Sequence, residues 1–142
     1  MRIIEVERFS GEYLDAIRKL LKMLMADPPS FTEDDFRAVI ASNHIHLFVL
    51  KIENQIVGMA TLAIYSSPSG SKAWIEDVVI DEDCRGQGLG RLLTQHLIDF
   101  AKSQSVEFLM LTSNPSRIAA NRLYRSLGFE QKQTNMYMMR FT

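Results

Sequence analysis

Apolar positions recur at two different spacings along this chain, and their order predicts both strands and helices. Residues 2–8 alternate weakly between apolar and polar side chains, which is typical of a first strand. Residues 11–24 then carry leucine and isoleucine at helical spacing behind Ser10, a residue type that caps helix N-termini. Thr32, with Asp35 three residues later, predicts a capping box that opens a short second helix.

The middle of the chain predicts a hairpin and one further strand. Two apolar runs, residues 46–52 and 55–65, flank the turn residues Glu53 and Asn54. Residues 66–71 are rich in Ser, Pro and Gly, which indicates a loop. Residues 72–80 then predict a fourth strand.

The last third predicts a helix, a strand, a helix and a strand. A leucine-rich helix begins at residue 89, a strand covers residues 106–112, a helix ends at Gly128, and a strand covers residues 135–141. The order indicates an α/β fold (an α+β sandwich), in which four helices flank a mixed, mostly antiparallel sheet. The one strand–helix–strand crossover, between residues 74 and 112, predicts a parallel pair. The length suits a single domain over residues 1–142.

Composition excludes several classes of protein. Sixteen basic and 17 acidic residues give a net charge of −1, so neither nucleic acid nor a membrane surface is an expected partner. Cys84 is the only cysteine and the three histidines lack ligand spacing, so we expect no metal. The first residues contain no continuous apolar run typical of a signal peptide, and no segment approaches the ~18 apolar residues of a membrane span. We therefore expect a cytoplasmic protein.

Three glycines alternate between the fourth strand and the following helix. Gly86, Gly88 and Gly90 leave backbone amides uncovered at a helix N-terminus, which is a favourable place for an anion. A simple tight turn is the alternative interpretation. The P-loop pattern fails because Arg91 follows Gly90, and the dinucleotide pattern fails because Gly90 comes two positions after Gly88, not three.

The glycine stretch resembles a motif of a known family. Residues 85–90, RGQGLG, resemble the R/Q-x-x-G-x-G/A pyrophosphate loop of the GNAT superfamily of acyl-CoA-dependent N-acetyltransferases. WIEDVVI at residues 74–80 is similar to the fourth strand of that family, and ANRLYRSLGF at residues 120–129 is similar to its last helix. The resemblance implies a GNAT-like sheet of about seven strands that splays between strands 4 and 5, with acetyl-CoA as cosubstrate and no metal.

The resemblance also implies which residues contact coenzyme A. Backbone groups on the fourth strand would bind the pantetheine arm, and loop amides would bind the pyrophosphate. These residues are Val78, Val79 and Ile80 on the strand, and Arg85, Gly86, Gln87, Gly88, Leu89, Gly90 and Arg91 in the loop. Arg117 stands where the family often has an asparagine that contacts the arm. Either Asn114 or Asn121 makes that contact instead, or Arg117 reaches the 3′-phosphate.

Two side chains are candidates for proton transfer. An attacking amine must first lose a proton, because alkylamines such as lysine have a pKa of about 10.4. We favour Glu76 as the base over Asp77, which strand alternation would place on the other face, and over water. Tyr124 matches the family tyrosine near the coenzyme A sulfur and would protonate the leaving thiolate. The ordinary alternatives are a solvated carboxylate and a core aromatic side chain.

The predicted activity is transfer of an acetyl group from acetyl-CoA directly to a primary amine of a small molecule or peptide, in a ternary complex. A catalytically weak CoA-binding or regulatory module is an alternative, as is a protein acetyltransferase acting on lysine or the N-terminus. Acidic residues between the first two helices would attract a cationic amine. Alternatively, they only stabilise the positive end of the helix dipole. Monomer and homodimer both remain open.

Overall fold

The computed structural model describes all residues, 1–142, and shows a mixed α/β fold with five strands and four α-helices. The elements are β1 (Arg2–Glu5), α1 (Gly11–Leu24), α2 (Glu33–Ala41), β2 (Ile45–Ile52), β3 (Gln55–Ser67), β4 (Gly70–Ile80), α3 (Leu89–Ser103), β5 (Phe108–Met110) and α4 (Ile118–Ser126). The strands form one sheet in the order β1-β2-β3-β4-β5, and only β4 and β5 are parallel. The mixed sheet, the parallel pair and the four helices are therefore confirmed.

The predicted number of strands was wrong. The sheet has five strands and not about seven. Of the six strands that the sequence pattern itself indicated, the one at residues 135–141 is absent despite its strand-like sequence. A sequence with strand propensity forms a strand only when a neighbouring strand accepts its backbone hydrogen bonds.

The predicted loop at residues 66–71 was too long. β3 continues to Ser67 and β4 already begins at Gly70, where φ is 132°. Lys72 stabilises the short turn because its Nζ donates to Ser67 Oγ at 3.0 Å and to Ser69 Oγ at 2.7 Å. Ser, Pro and Gly are common in tight turns and in long loops alike, so composition did not separate the two.

Both predicted helix caps are present. Ser10 Oγ accepts from the Tyr13 amide at 3.1 Å. Thr32 Oγ1 accepts from the Asp35 amide at 3.1 Å, and Asp35 Oδ2 accepts from the Thr32 amide at 3.0 Å. These bonds satisfy amides that would otherwise have no partner in the first turns of α1 and α2.

The chain divides into two compact units, residues 1–111 and residues 112–142. In the first unit, α1 and α2 pack on one face of the sheet, with a core that includes Leu20, Phe36, Leu47, Val49, Met59 and Val79. α3 packs on the other face, where Phe48 meets the rings of His96 and Phe100, each at 5.1 Å. None of the helices combines the length and the apolar character that crossing a bilayer requires.

Candidate functional site

A β-bulge interrupts β4 next to the predicted base. Thr61 of β3 lies opposite Glu76, and Met59 lies opposite Val79, so β4 uses one residue more than β3 over this stretch. Asp77 occupies the bulge with a φ of 52°, a conformation that few non-glycine residues adopt. The alternation from which we placed Asp77 on the opposite face therefore does not hold here, because the bulge breaks the two-residue period.

Glu76 lies on the face of the sheet that α1 and α2 cover. Thr61 of β3 lies between Glu76 of β4 and Leu47 of β2. Leu47 belongs to the core beneath those helices. Residues opposite each other in neighbouring strands share a face of the sheet. Glu76 therefore lies on the same face as Val79, beyond the end of this core.

Both carboxyl groups at the bulge hold their protons more tightly than usual. Burial raises the pKa of Glu76 above its ordinary value of 4.5, and the charge of Asp77 raises it further. Burial alone raises the pKa of Asp77. A raised pKa makes each carboxylate a stronger proton acceptor than a fully solvated one.

The ladder between β4 and β5 is short. The two strands pair at three positions, from Lys72 opposite Phe108 to Trp74 opposite Met110, whereas β4 continues to Ile80. Residues 75–80 thus have β3 on one side, and an edge of this kind presents unpaired N–H and C=O groups. Val78, Val79 and Ile80 lie in this stretch. The side chain of Val79 is in the core, which leaves its backbone for any ligand.

Several bonds hold the turn that follows β4. Asp81 is 2% exposed, and its Oδ1 accepts from the Asp83 amide at 3.0 Å. Lys19 Nζ of α1 lies 3.6 Å from Asp81 Oδ2, and the Asp81 amide donates to Val57 O at 2.7 Å. Arg85 Nε donates to Ile80 O at 3.0 Å, which ties the first loop residue to the end of the strand. Sequence reasoning missed Asp81, whose only signal was an acidic residue directly after an apolar strand.

The glycine loop is open to solvent at both of its left-handed positions. Gly86 has a φ of 80° and Gly88 a φ of 79°, and a Cβ added at either would meet no atom within 4 Å. Backbone conformation, not crowding, therefore requires glycine at these two positions. The space that the absent side chains leave is free for a ligand.

The loop leads directly into α3 without a side-chain cap. Gly88 is the N-cap residue and, having no side chain, makes no side-chain cap hydrogen bond to the helix. Leu89 is 7% exposed and anchors the helix start in the core, whereas Gln87 and Arg91 are on the surface. The carbonyl of Gly90 accepts from Thr94 Oγ1 at 2.8 Å. A glycine at the N-cap and the positive end of the helix dipole together fit an anion such as a pyrophosphate.

In the second unit, the two asparagines considered for the pantetheine arm hold a turn. Asn114 Oδ1 accepts from the Ser116 amide at 2.9 Å. Asn121 Nδ2 donates to Asn114 O at 2.9 Å and to Arg117 O at 2.8 Å. Both side chains thus have a structural role at the start of α4, which sequence reasoning did not predict.

The LYRSLGF sequence forms a Schellman motif at the end of α4. The Phe129 amide donates to Tyr124 O and the Gly128 amide donates to Arg125 O, each at 3.1 Å. Gly128 takes a φ of 105°, and the rings of Tyr124 and Phe129 meet edge to face at 6.0 Å. The glycine, the phenylalanine and the ring contact are all features of this helix ending.

Tyr124 is buried, with 7% of the residue exposed. Its phenol stays protonated at neutral pH because its pKa is raised. Burial raises its pKa above 10.0, and the nearby guanidinium of Arg117 partly offsets this increase. Arg117 precedes Tyr124 by seven residues, two helical turns, so the pair could have been found from helical spacing. It was missed because we considered Arg117 only as a ligand for the cofactor.

The predicted site residues thus fall into two groups. The base candidates, the strand backbone and the glycine loop form one continuous stretch from Glu76 to Arg91 in the first unit. Asn114, Arg117, Asn121 and Tyr124 lie together in the second unit. No three His, Cys, Asp or Glu side chains gather in a metal-binding group.

Comparison with known proteins agrees with this geometry. A profile described as the acetyltransferase (GNAT) family matches residues 15–129. The ribosomal protein bS18-alanine N-acetyltransferase of Escherichia coli (strain K12) is 42% identical over 60 residues, which are 42% of this chain and 40% of that protein. The N-alpha-acetyltransferase RimI of Mycobacterium tuberculosis is 29% identical over 96 residues, which are 68% of this chain and 59% of that protein.

Solved structures share the fold over almost the whole length. An acetyltransferase of Trypanosoma brucei has a TM-score of 0.79 at 26% identity, and the match covers 98% of this chain and 99% of that one. The matches to the two curated relatives, in contrast, span 40% and 59% of those proteins.

Proposed function

The chain belongs to the acetyltransferase (GNAT) family, and from this we propose that it is an N-acetyltransferase that transfers the acetyl group of acetyl-CoA to a primary amine. The acceptor is a small molecule or a peptide, and both substrates are bound together in a ternary complex. The observation that carries the proposal is the uncapped glycine loop at the start of α3, with two left-handed glycines and open space above them.

The first unit would hold coenzyme A through its backbone. Amides from Arg85 to Arg91 would bind the pyrophosphate, and the free edge of β4 at residues 78–80 would bind the amides of the pantetheine arm. An extended arm with amide groups can supply the hydrogen bonds that this edge lacks once β5 has diverged. Acetyl-CoA would supply an activated acetyl group as a thioester.

Contact with the remainder of the cofactor is assigned to Asn114, Arg117 or Asn121. The 3′-phosphate offers a way to separate them, because only Arg117 is charged. If Arg117 binds this phosphate, Arg117→Gln should reduce the preference for CoA over 3′-dephospho-CoA, measured as two Kd values by calorimetry. An unchanged preference assigns the contact to one of the asparagines.

Glu76 and Tyr124 would move protons in opposite directions. Glu76 would accept a proton from the amine, directly or through water, and its raised pKa supports this role. Tyr124 would donate its phenol proton to the leaving sulfur, since burial keeps the phenol protonated. If Arg117 stays beside the phenol and does not bind the 3′-phosphate, it would stabilise the phenolate that remains.

The relatives support an amine at a peptide N-terminus as one acceptor to test. One of them is named as an N-acetyltransferase of an alanine in ribosomal protein bS18, and the other as an N-alpha-acetyltransferase. A small-molecule amine and a lysine side chain are primary amines as well, so both remain acceptors to test.

An amine panel with detection of released thiol tests the proposal. It should contain an alanine-initiated peptide, a lysine peptide with a blocked N-terminus, a polyamine and an aminoglycoside. We expect amine-dependent thiol release with at least one of them. Tight acetyl-CoA binding with no amine-dependent release would instead support the CoA-binding module.

A further inference from the structure

The face of the sheet that carries Glu76 continues past the core that α1 and α2 cover. From Thr61 to Tyr65, β3 pairs with β4 in an unbroken register, so Lys72 and Trp74 share this face with Glu76. None of these five residues is buried. The opposite face of the same stretch is closed by three buried residues: Leu62, Ala73 and Ile75. One face of β4 is therefore open directly beside the proposed base.

Two aromatic side chains form an apolar surface on this open face. Trp74, the only tryptophan of the chain, donates from its indole Nε1 to the hydroxyl of Tyr65 at 3.0 Å, and Tyr65 is 44% exposed. The bond satisfies the indole N–H, so the two rings offer mainly apolar surface to a ligand. Tryptophan and tyrosine are enriched in the parts of binding surfaces that contribute most to affinity. We call this pair the aromatic shelf.

A positive charge lies at the far end of the aromatic shelf. Lys72 is opposite Tyr65 and takes part in none of the ion pairs of the structure. Its Nζ donates to two serine hydroxyls, which leaves the third N–H of the ammonium for an anion. At ~3.3 Å per strand residue, Lys72 is about 13 Å from Glu76 along β4. The face thus presents a carboxylate, an apolar surface and an ammonium in that order.

From this order we infer that the acceptor is a peptide that lies along β4, with its N-terminal amine at Glu76, an apolar side chain on the aromatic shelf and a carboxylate beside Lys72. The inference rests on the proposed function for the position of the amine. An extended peptide also rises ~3.3 Å per residue, so the carboxylate belongs to an acidic residue at about position 4 or 5. A polyamine has no anionic group for Lys72, and a small amine is too short to reach it.

Charge reversal at Lys72 tests the inference by fluorescence, because the emission of the single tryptophan reports a ligand on the shelf whether or not turnover occurs. With CoA present, C-terminally amidated Ala-Phe-Ser-Glu-Glu should bind about fivefold more tightly than Ala-Phe-Ser-Arg-Arg, as expected for an exposed ion pair. Lys72→Glu should reverse this preference. Lys102→Glu, on the exposed surface of α3, is the control and should keep it. An unchanged preference in Lys72→Glu, or spermidine binding as tightly as the acidic peptide, would overturn the inference.

Removal of the indole provides a second, independent measurement. By calorimetry, Trp74→Ala should weaken binding of Ala-Phe-Ser-Glu-Glu about tenfold and leave binding of Ala-Ser-Ser-Glu-Glu nearly unchanged, since only the first peptide has a ring for the shelf. Equal losses for both peptides would contradict the contact. Peptide binding without release of thiol from acetyl-CoA would refute the proposed function alone. Amine-dependent thiol release at equal kcat/KM for the acidic and the basic peptide would refute this inference alone.

Discussion

Tyr124 shows how one side chain can have a structural and a chemical role together. Its backbone carbonyl and its ring both belong to the Schellman motif, with Phe129 as the partner in each contact. Its phenol, in contrast, interacts with Arg117 and is not needed for the helix ending. Removal of the hydroxyl alone therefore separates the two roles.

Tyr124→Phe should lower kcat by about 10²–10⁴-fold, the range typical of acid–base groups, with little change in thermal stability. The ring contact with Phe129 is retained, so the fold is not expected to change. Tyr13→Phe on α1 is the matched control and should keep wild-type kcat. A Tyr124→Phe enzyme with normal turnover would remove the phenol from the mechanism.

Arg117 should act on the Tyr124 phenol through charge. Because the guanidinium lowers the pKa of Tyr124 against the larger effect of burial, Arg117→Gln should raise that pKa further. NMR titration of ¹³C-labelled tyrosine measures the shift, and Arg122→Gln, one turn away on the exposed surface of α4, is the control. A lower pKa of Tyr124 in Arg117→Gln would contradict this electrostatic role.

The paired carboxylates at the bulge predict a pH dependence. Glu76 must be deprotonated to act as a base, so kcat/KM should fall as pH falls through its pKa, which burial and then Asp77 raise above 4.5. Asp77→Asn removes the repulsion, lowers the pKa of Glu76 and should move this acidic limb to lower pH. Glu76→Gln should abolish the limb. Asp99→Asn, on the exposed surface of α3, is the control, and an unmoved limb in Asp77→Asn would assign the base elsewhere.

Among the elements, the junction between β4 and α3 contains most of the residues that we propose for catalysis and cofactor binding. Glycines appear there because two positions need a positive φ, and the open space above them leaves room for the ligand that we propose. Asp81 fixes the strand end through Lys19, Asp83 and Val57, so the loop starts from a defined position. A defined position matters because backbone amides can be aimed only by the elements that carry them.

Gly88→Ala tests the junction. The left-handed backbone costs a non-glycine residue about 1–2 kcal/mol, so the loop should shift and the Kd for CoA should rise by roughly tenfold. Gly11→Ala is a matched control, because Gly11 also has nothing within 4 Å of an added Cβ but has no left-handed φ. Calorimetry gives both affinities. Equal affinities would mean that the loop conformation is not required for binding.

For the whole molecule, the predicted proton acceptor and donor lie in different compact units. If both act in one reaction, their effects should be coupled although neither is near the other in sequence. A double variant, Glu76→Gln with Tyr124→Phe, should lose less than the product of the two single losses, since groups that act as a unit are non-additive. Steady-state kcat/KM of the four enzymes gives the coupling. Strictly multiplicative losses would indicate independent roles.

Much of the fold followed from local sequence patterns. Ser10 and the Thr32–Asp35 box marked two helix starts, and Gly128 marked a helix end, because caps depend on residues within one turn. The crossover rule also placed β4 and β5 in parallel. Patterns failed where one extra residue changed the period of a strand: the bulge at Asp77 altered which side chains share a face of the sheet.

The sequence by itself therefore determined the helices, the first five strands, the glycine loop and the family, since each depends on short-range residue preferences or on a motif. Only the tertiary structure decided that residues 135–141 stay outside the five-stranded sheet, that Glu76 and Val79 share a face, and that Arg117 meets the Tyr124 phenol. Strand pairing, bulges and pKa values depend on which distant groups are near and how much water they displace. Neither quantity is encoded in the spacing of residues along the chain.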